Sequence, residues 1–116
     1  MNKKSKREIL YYKSYYLDFF IKLKPEVKKK FNWTLQLIET HDRVPEKYFQ
    51  HLTGTTGLYE VRVEVGPNIY RVFCFFDKGQ LIILVNGFQK KTQKTPTNEI
   101  ELAENLKKQY FHEKDK

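Results

Sequence analysis

One cysteine, one tryptophan and one methionine are all that this chain of 116 residues holds of those types, with only five glycines and four prolines. The lone Cys74 lies among apolar neighbours without a partner, which excludes an internal disulfide framework and fits a reducing compartment. No long apolar run and no charged-apolar-small leader opens the chain, so a soluble cytoplasmic protein with no membrane attachment is expected. Familiar chemical motifs are missing as well. There is no Cys/His spacing for zinc or another metal, no glycine-rich phosphate loop and no Gly-x-Ser-x-Gly elbow. No metal and no small-molecule cofactor are therefore expected. His41 and His51 lack the spacing of a metal site or a His-carboxylate pair and read as structural or surface residues.

Acidic residues are scarce too. Fourteen Asp and Glu against twenty-two Lys and Arg leave a formal charge of +8. A small domain this basic suits a polyanion or an acidic protein partner. Aromatic residues are plentiful, with eight Tyr and nine Phe. A chain of this length buries roughly two-thirds of its unfolded surface, enough for one domain with a core of its own. Residues 1–116 are read as that single domain, with 1–7 and 111–116 as loose charged ends. Trp33 reads as a core or partner-interface residue rather than a ligand platform.

The densest apolar pattern spans residues 58–85. In 58–65, Tyr59, Val61, Val63 and Val65 alternate with Glu60, Arg62 and Glu64, as in a half-buried strand. Residues 69–77 are aromatic and β-branched almost throughout, and 81–85 are wholly aliphatic, as in strands covered on both faces. Gly66-Pro67-Asn68 and Lys78-Gly79 supply turns. A two-residue turn at Lys78-Gly79 places Phe75 opposite Ile82 and Arg71 opposite Asn86. A turn centred on residues 66–68 places Glu64 opposite Arg71. Glu60, Arg62, Glu64, Arg71 and Asn86 then share one face.

Upstream, residues 8–12 suit an edge strand. Tyr16, Phe19, Phe20 and Leu23 fall on one helical stripe, and Pro25 restarts a helix carrying Val27, Phe31, Thr34, Leu35 and Ile38. That helix should end near His41-Asp42. Residues 45–52 read as a helical turn packing Tyr48, Phe49 and Leu52 beneath the sheet. Downstream of the strands, residues 86–96 hold Lys90, Lys91 and Lys94 with hydroxyl and amide donors. Thr95 can cap a last helix with Pro96 at its first position, buried along Ile100, Ala103, Leu106 and Tyr110.

The chemistry available is positive charge. Arg62, Arg71 and the lysines can clamp a phosphodiester and stabilise charge on its oxygens. RNA brings its own nucleophile, the 2′-hydroxyl, so such a site needs neither metal nor cysteine. Ordinary cross-strand pairing of Arg71 with Glu64, and of Arg62 with Glu60 or Glu64, stands as the alternative use of the same residues. Surface pairs of that kind contribute about 0–1 kcal/mol.

Three segments carry a resemblance. Leu58-Tyr59-Glu60-Val61-Arg62, Tyr70-Arg71-Val72-Phe73 and the basic run from Gly87 to Pro96 ahead of Glu99-Ile100-Glu101-Leu102-Ala103 resemble the RelE/ParE toxin superfamily, in its phage-derived, HigB-like branch. The resemblance implies an α+β fold, with a twisted antiparallel sheet on an N-terminal helical pair and a C-terminal helix. It also implies a ribosome-dependent, metal-independent endoribonuclease acting on mRNA and held in check by a helix-turn-helix antitoxin. Arg71 with Lys90 or Lys91 would then be catalytic, stabilising the pentavalent transition state. Arg62 would hold the RNA phosphate backbone, with Lys94 and Asn86 as further contacts. The superfamily leaves two other functions open: gyrase inhibition without catalysis, and a silenced prophage remnant that only binds its antitoxin. Glu60 departs from the pattern, standing where some relatives carry a basic residue. Tyr110 and His112 lie too far along the chain to match the proton donors of other branches.

Overall fold

A computed structural model of the chain describes residues 6–115. Five strands form one sheet: β1 (Glu8–Tyr11), β2 (Phe49–His51), β3 (Leu58–Val65), β4 (Asn68–Phe76) and β5 (Leu81–Lys90). Their order across the sheet is β1-β5-β4-β3-β2. All neighbours run antiparallel except β1, which joins β5 in parallel. Helices α1 (Tyr15–Phe20) and α2 (Pro25–Thr40) cover one face, and α3 (Thr97–Lys114) covers the other. The fold is the α+β arrangement expected from the sequence, with β1 as the expected edge strand. β1 runs parallel to β5, however, and makes the sheet mixed where it was expected to be antiparallel.

Two cores follow from strand alternation. Val61, Val63, Val72, Cys74, Ile82 and Leu84 point to α1 and α2, meeting Tyr16, Val27, Phe31 and Ile38. Leu58, Phe73, Phe75, Ile83, Val85 and Phe88 point to α3, meeting Ala103 and Leu106. β4 is buried on both faces because its run NIYRVFCFF offers apolar or aromatic side chains to each. Burial pushes the Cys74 thiol pKa far up, so it packs as a small hydrophobe and is no nucleophile.

The registers differ from those expected, and the reason is turn size. Gly66, at φ 57°, takes a left-handed position in a tighter β3–β4 turn, so Val65 pairs with Asn68 and Arg62 faces Arg71. Gly79, at φ 58°, sits in a three-residue connection closed by the Asp77 N–H donating to Leu81 O at 2.7 Å. Phe75 therefore pairs with Ile83, one residue later than expected. A bulge then places Val85 and Asn86 together opposite Phe73, and Arg71 pairs with Phe88 instead of Asn86. The one-residue shift and the bulge offset each other in parity. Glu60, Arg62, Glu64, Arg71 and Asn86 still share the α3 side.

Residues 45–52 are a second difference. A turn closes with the Tyr48 and Phe49 N–H groups donating to Pro45 O, and the chain then extends as β2 along β3. Phe49 stacks on Tyr59 at 5.2 Å, an aromatic cross-strand contact that favours strand over helix here. The end of the chain also differs. α3 starts after Pro96, whose extended ψ of 128° makes it the cap in place of Thr95, and continues through Phe111 to Lys114. Phe111 is held against Phe75, and Lys114 pairs with Asp77 at 2.7 Å, so 111–114 are no loose end. At the other end, Arg7 is fixed by donating to Ile38 O in the last turn of α2, to His41 O at its C-cap and to Asp42 O beyond it. Residues 1–5 of the basic lead, and Lys116, lie outside the described residues.

Two expected results arise from this packing. A Cβ built on Gly87 would lie 2.6 Å from the Phe19 ring, with the ring's own root at 2.9 Å. Gly87→Ala should therefore destabilise by about 1–3 kcal/mol through overpacking, read by chemical denaturation. Asp77 accepts from Tyr110 Oη at 2.6 Å as well as from Lys114. These bonds, Lys114 first, hold its carboxyl below the ordinary value. A depressed folded pKa gives stability that is present above the unfolded pKa and lost as pH falls through the folded one. Asp77→Asn should accordingly lower the melting temperature at neutral pH, and the gap to the unsubstituted protein should close in acid.

Candidate functional site

The α3-side face of β3, β4 and β5 presents its polar residues in rows. Glu64, Ile69 and Lys90 form the row nearest the β3–β4 turn, followed by Arg62, Arg71 and Phe88, then Glu60, Phe73 and the Val85-Asn86 bulge. Two guanidinium groups thus stand directly opposite each other, a cross-strand arrangement that is repulsive by itself. Glu60 answers the repulsion. Its Oε1 lies 3.6 Å from Arg62 Nε and 4.0 Å from Arg71 Nε. Both gaps are ion-pair distances, too long for hydrogen bonds. Arg71 is 3% exposed and Glu60 5%, so the pairing is shielded from water.

Glu60 sits between the two guanidiniums, and Glu64, one row away on the same face, adds a second and exposed carboxylate to the field at Arg71. Arg62 spends its Nη1 on Gln50 Oε1 at 2.7 Å and Glu46 O at 3.3 Å, and Arg71 Nη1 donates to Tyr70 O at 3.0 Å. The Nε–H groups of both arginines are buried without a hydrogen-bond acceptor. Burial, and then the charge of Arg62, lower the Arg71 pKa, while the carboxylates of Glu60 and Glu64 act in the opposite direction. Unsatisfied buried donors are costly, and of the two side chains the partly exposed Arg62 is the one an anion can approach.

The other sequence-derived candidates fall into two groups. Lys90 is half-buried at the end of β5, on the Arg71 face and one row away from it. Lys91 and Lys94 are exposed on the connection that follows, where Thr92 Oγ1 donates to Lys94 O at 2.9 Å. Lys90 and Lys91 flank a hollow with Pro67, Ile69, Thr92 and Gln93, at the turn end of the arginine face. Asn86 is tied elsewhere. Its Nδ2 donates to Glu99 O at 3.1 Å and Glu99 Oε1 at 3.0 Å, joining the bulge to the first turn of α3. Its Oδ1 is buried and unpartnered.

Glu60 and Gln50 belong to this constellation and were not among the candidates. Glu60 was visible as an acidic residue on the arginine face, but its burial was not. Gln50 needed β2, which the sequence pattern presented as a helical turn. Among the described residues, no three His, Cys, Asp or Glu lie close enough to hold a metal, and no helix is long and apolar enough to cross a membrane.

A family model described as phage derived protein Gp49-like (DUF891) matches residues 18–108. The chain belongs to this family. The Gp49-like match takes in the second half of α1, all of α2 and of β2 to β5 and most of α3, and with them Gln50, Glu60, Arg62, Arg71, Asn86 and the three lysines. β1 lies outside the Gp49-like segment, so the arginine face is contained in it whole. No curated protein matches the chain.

Proposed function

We propose that this Gp49-like protein is the toxin of a type II toxin–antitoxin pair, of the HigB-like kind within the RelE/ParE superfamily, and that it cleaves mRNA on the ribosome. The observation that carries the reading is the pair of facing arginines around one buried carboxylate, with two donors left over. A phosphodiester suits this cationic face, with the partly exposed Arg62, Lys90 and Lys91 as the groups it meets first. In the reaction the RNA 2′-oxygen bonds to phosphorus while the bond to the 5′-oxygen breaks. The hydroxyl proton leaves to a base and a proton returns to the 5′-oxygen, giving a 2′,3′-cyclic phosphate and a 5′-hydroxyl. Arg71 and a lysine from Lys90 or Lys91 stabilise the charge on the pentavalent phosphorus, and Arg62 holds the phosphate in place. Glu64, an exposed carboxylate one row from Arg62, is available to take the hydroxyl proton. The net charge of +8 suits both a polyanionic substrate and an acidic stretch of a helix-turn-helix antitoxin.

The test is induction in growing cells with transcriptome-wide mapping of mRNA ends. New ends inside translated codons are expected. A DNA-damage response without new ends would point to gyrase inhibition instead, and unaffected growth with tight antitoxin binding to a protein that only binds.

A further inference from the structure

Trp33, the single tryptophan of the chain, is 46% exposed on α2. It is not the core residue its type suggests, and so large an apolar ring held open to water points to a partner. Its surroundings are specific. The Tyr48 ring meets it edge-on at 5.2 Å. Lys30 Nζ lies 4.6 Å from the indole centroid and 5.7 Å from that of Tyr48, and Lys47 Nζ lies 5.0 Å from the Tyr48 centroid. Beside the indole is a hollow of about 260 Å³ lined by Trp33, Gln36, Leu37, Thr40 and His41. Indole and Leu37 give it apolar walls, while the other three give it hydrogen-bonding edges. The hydroxyl of Thr40 lies 2.9 Å from His41 Nδ1 and holds that imidazole in place.

This patch is joined to the arginine face through the turn before β2. Arg62 donates its backbone N–H to Tyr48 O at 2.8 Å and its guanidinium to Glu46 O. The arginine that faces Arg71 therefore also anchors the turn that carries Lys47 and Tyr48. We infer that the hollow beside Trp33 takes a nucleobase of single-stranded RNA, with Lys30 and Lys47 on its phosphates, as the strand rounds the β2 edge from the Arg62–Arg71 clamp. This inference rests on the RNA reading above and adds a contact away from the bond that breaks. A planar base fills an apolar slot with polar edges, and aromatic side chains with neighbouring cations are what single strands stack against. An acidic peptide would engage the lysines but leave the slot unfilled.

The lone tryptophan supplies the measurement, since red-edge excitation reads this site alone. The full chain is titrated with 2′-O-methyl oligouridylate of about ten nucleotides, which has no 2′-hydroxyl to attack. Quenching of Trp33 fluorescence on binding is expected. Trp33→Ala should bind the oligonucleotide roughly tenfold more weakly by anisotropy, with an unchanged melting temperature, and Trp33→Phe should keep most of the affinity. Binding with no quenching, at equal affinity in Trp33→Ala, would remove the hollow from the RNA path while leaving the arginine site intact. No binding by the unsubstituted protein would overturn this inference, while the ribosome-dependent reading stands or falls on the mapped mRNA ends. Trp33-dependent binding of polyglutamate in place of the oligonucleotide would assign the hollow to an acidic protein and overturn this one.

Discussion

Arg71→Gln should abolish growth arrest and lower RNA cleavage by roughly a hundred- to a thousand-fold, the usual effect of removing one preorganised donor from a charged transition state. The variant should fold. Arg71 gives the native structure one hydrogen bond, to Tyr70 O, and its Nε–H is buried unpaired. Removing it relieves the repulsion across β3–β4 and leaves Glu60 still matched by Arg62. The urea midpoint should therefore hold steady or rise while activity disappears. Arg71→Lys keeps a charge but loses the planar fork that grips two oxygens at once, so it should recover only a fraction of the cleavage. Full toxicity in folded Arg71→Gln would take the residue out of the site.

Glu60→Gln should have the opposite signature. The shape is kept, but buried Arg71 and half-buried Arg62 then face each other with only the exposed Glu64, one row away, as counter-charge. Removing one partner of a buried ion pair costs about 3–5 kcal/mol. The Arg62 side chain, 26% exposed, reaches some water, so a loss near the lower end, about 3 kcal/mol, is expected from urea unfolding. Added phosphate should restore part of the loss by taking the place of the carboxylate. The double substitution Glu60→Gln with Arg71→Gln should recover most of it, since the repulsion and the missing charge vanish together. If Glu60→Gln unfolds like the unsubstituted protein, Glu60 does not balance the arginines.

Much of this architecture could be read from residue order. The stripe Val27, Phe31, Thr34, Ile38 is buried as its spacing foretells, β3 forms where alternation places it, and β4 where the β-branched and aromatic run does. What escaped was local and geometric. Turn size depends on the φ of single glycines, and Gly66 and Gly79 each moved a register. The bulge at Val85-Asn86 leaves no mark in hydrophobic pattern. β2 has three residues, too few for a period to show, and is held by Phe49 on Tyr59. Arg62 and Arg71 were legible as same-face residues, because shifts of two preserve parity. Their direct opposition, and the burial of Glu60 between them, needed coordinates.

The parallel pairing of β1 with β5 has a kinetic consequence. Glu8 meets Leu81 and Tyr11 meets Leu84, so the sheet closes on contacts between distant parts of the chain. The β3–β4 hairpin, which aligns the arginines, needs only a short loop and can form early. Closing the β1 edge must wait until β5 has been synthesised, and long-range strand pairing of this kind is slow. A nascent chain therefore keeps β1 unmatched until β5 has emerged, and the sheet is complete only from that point.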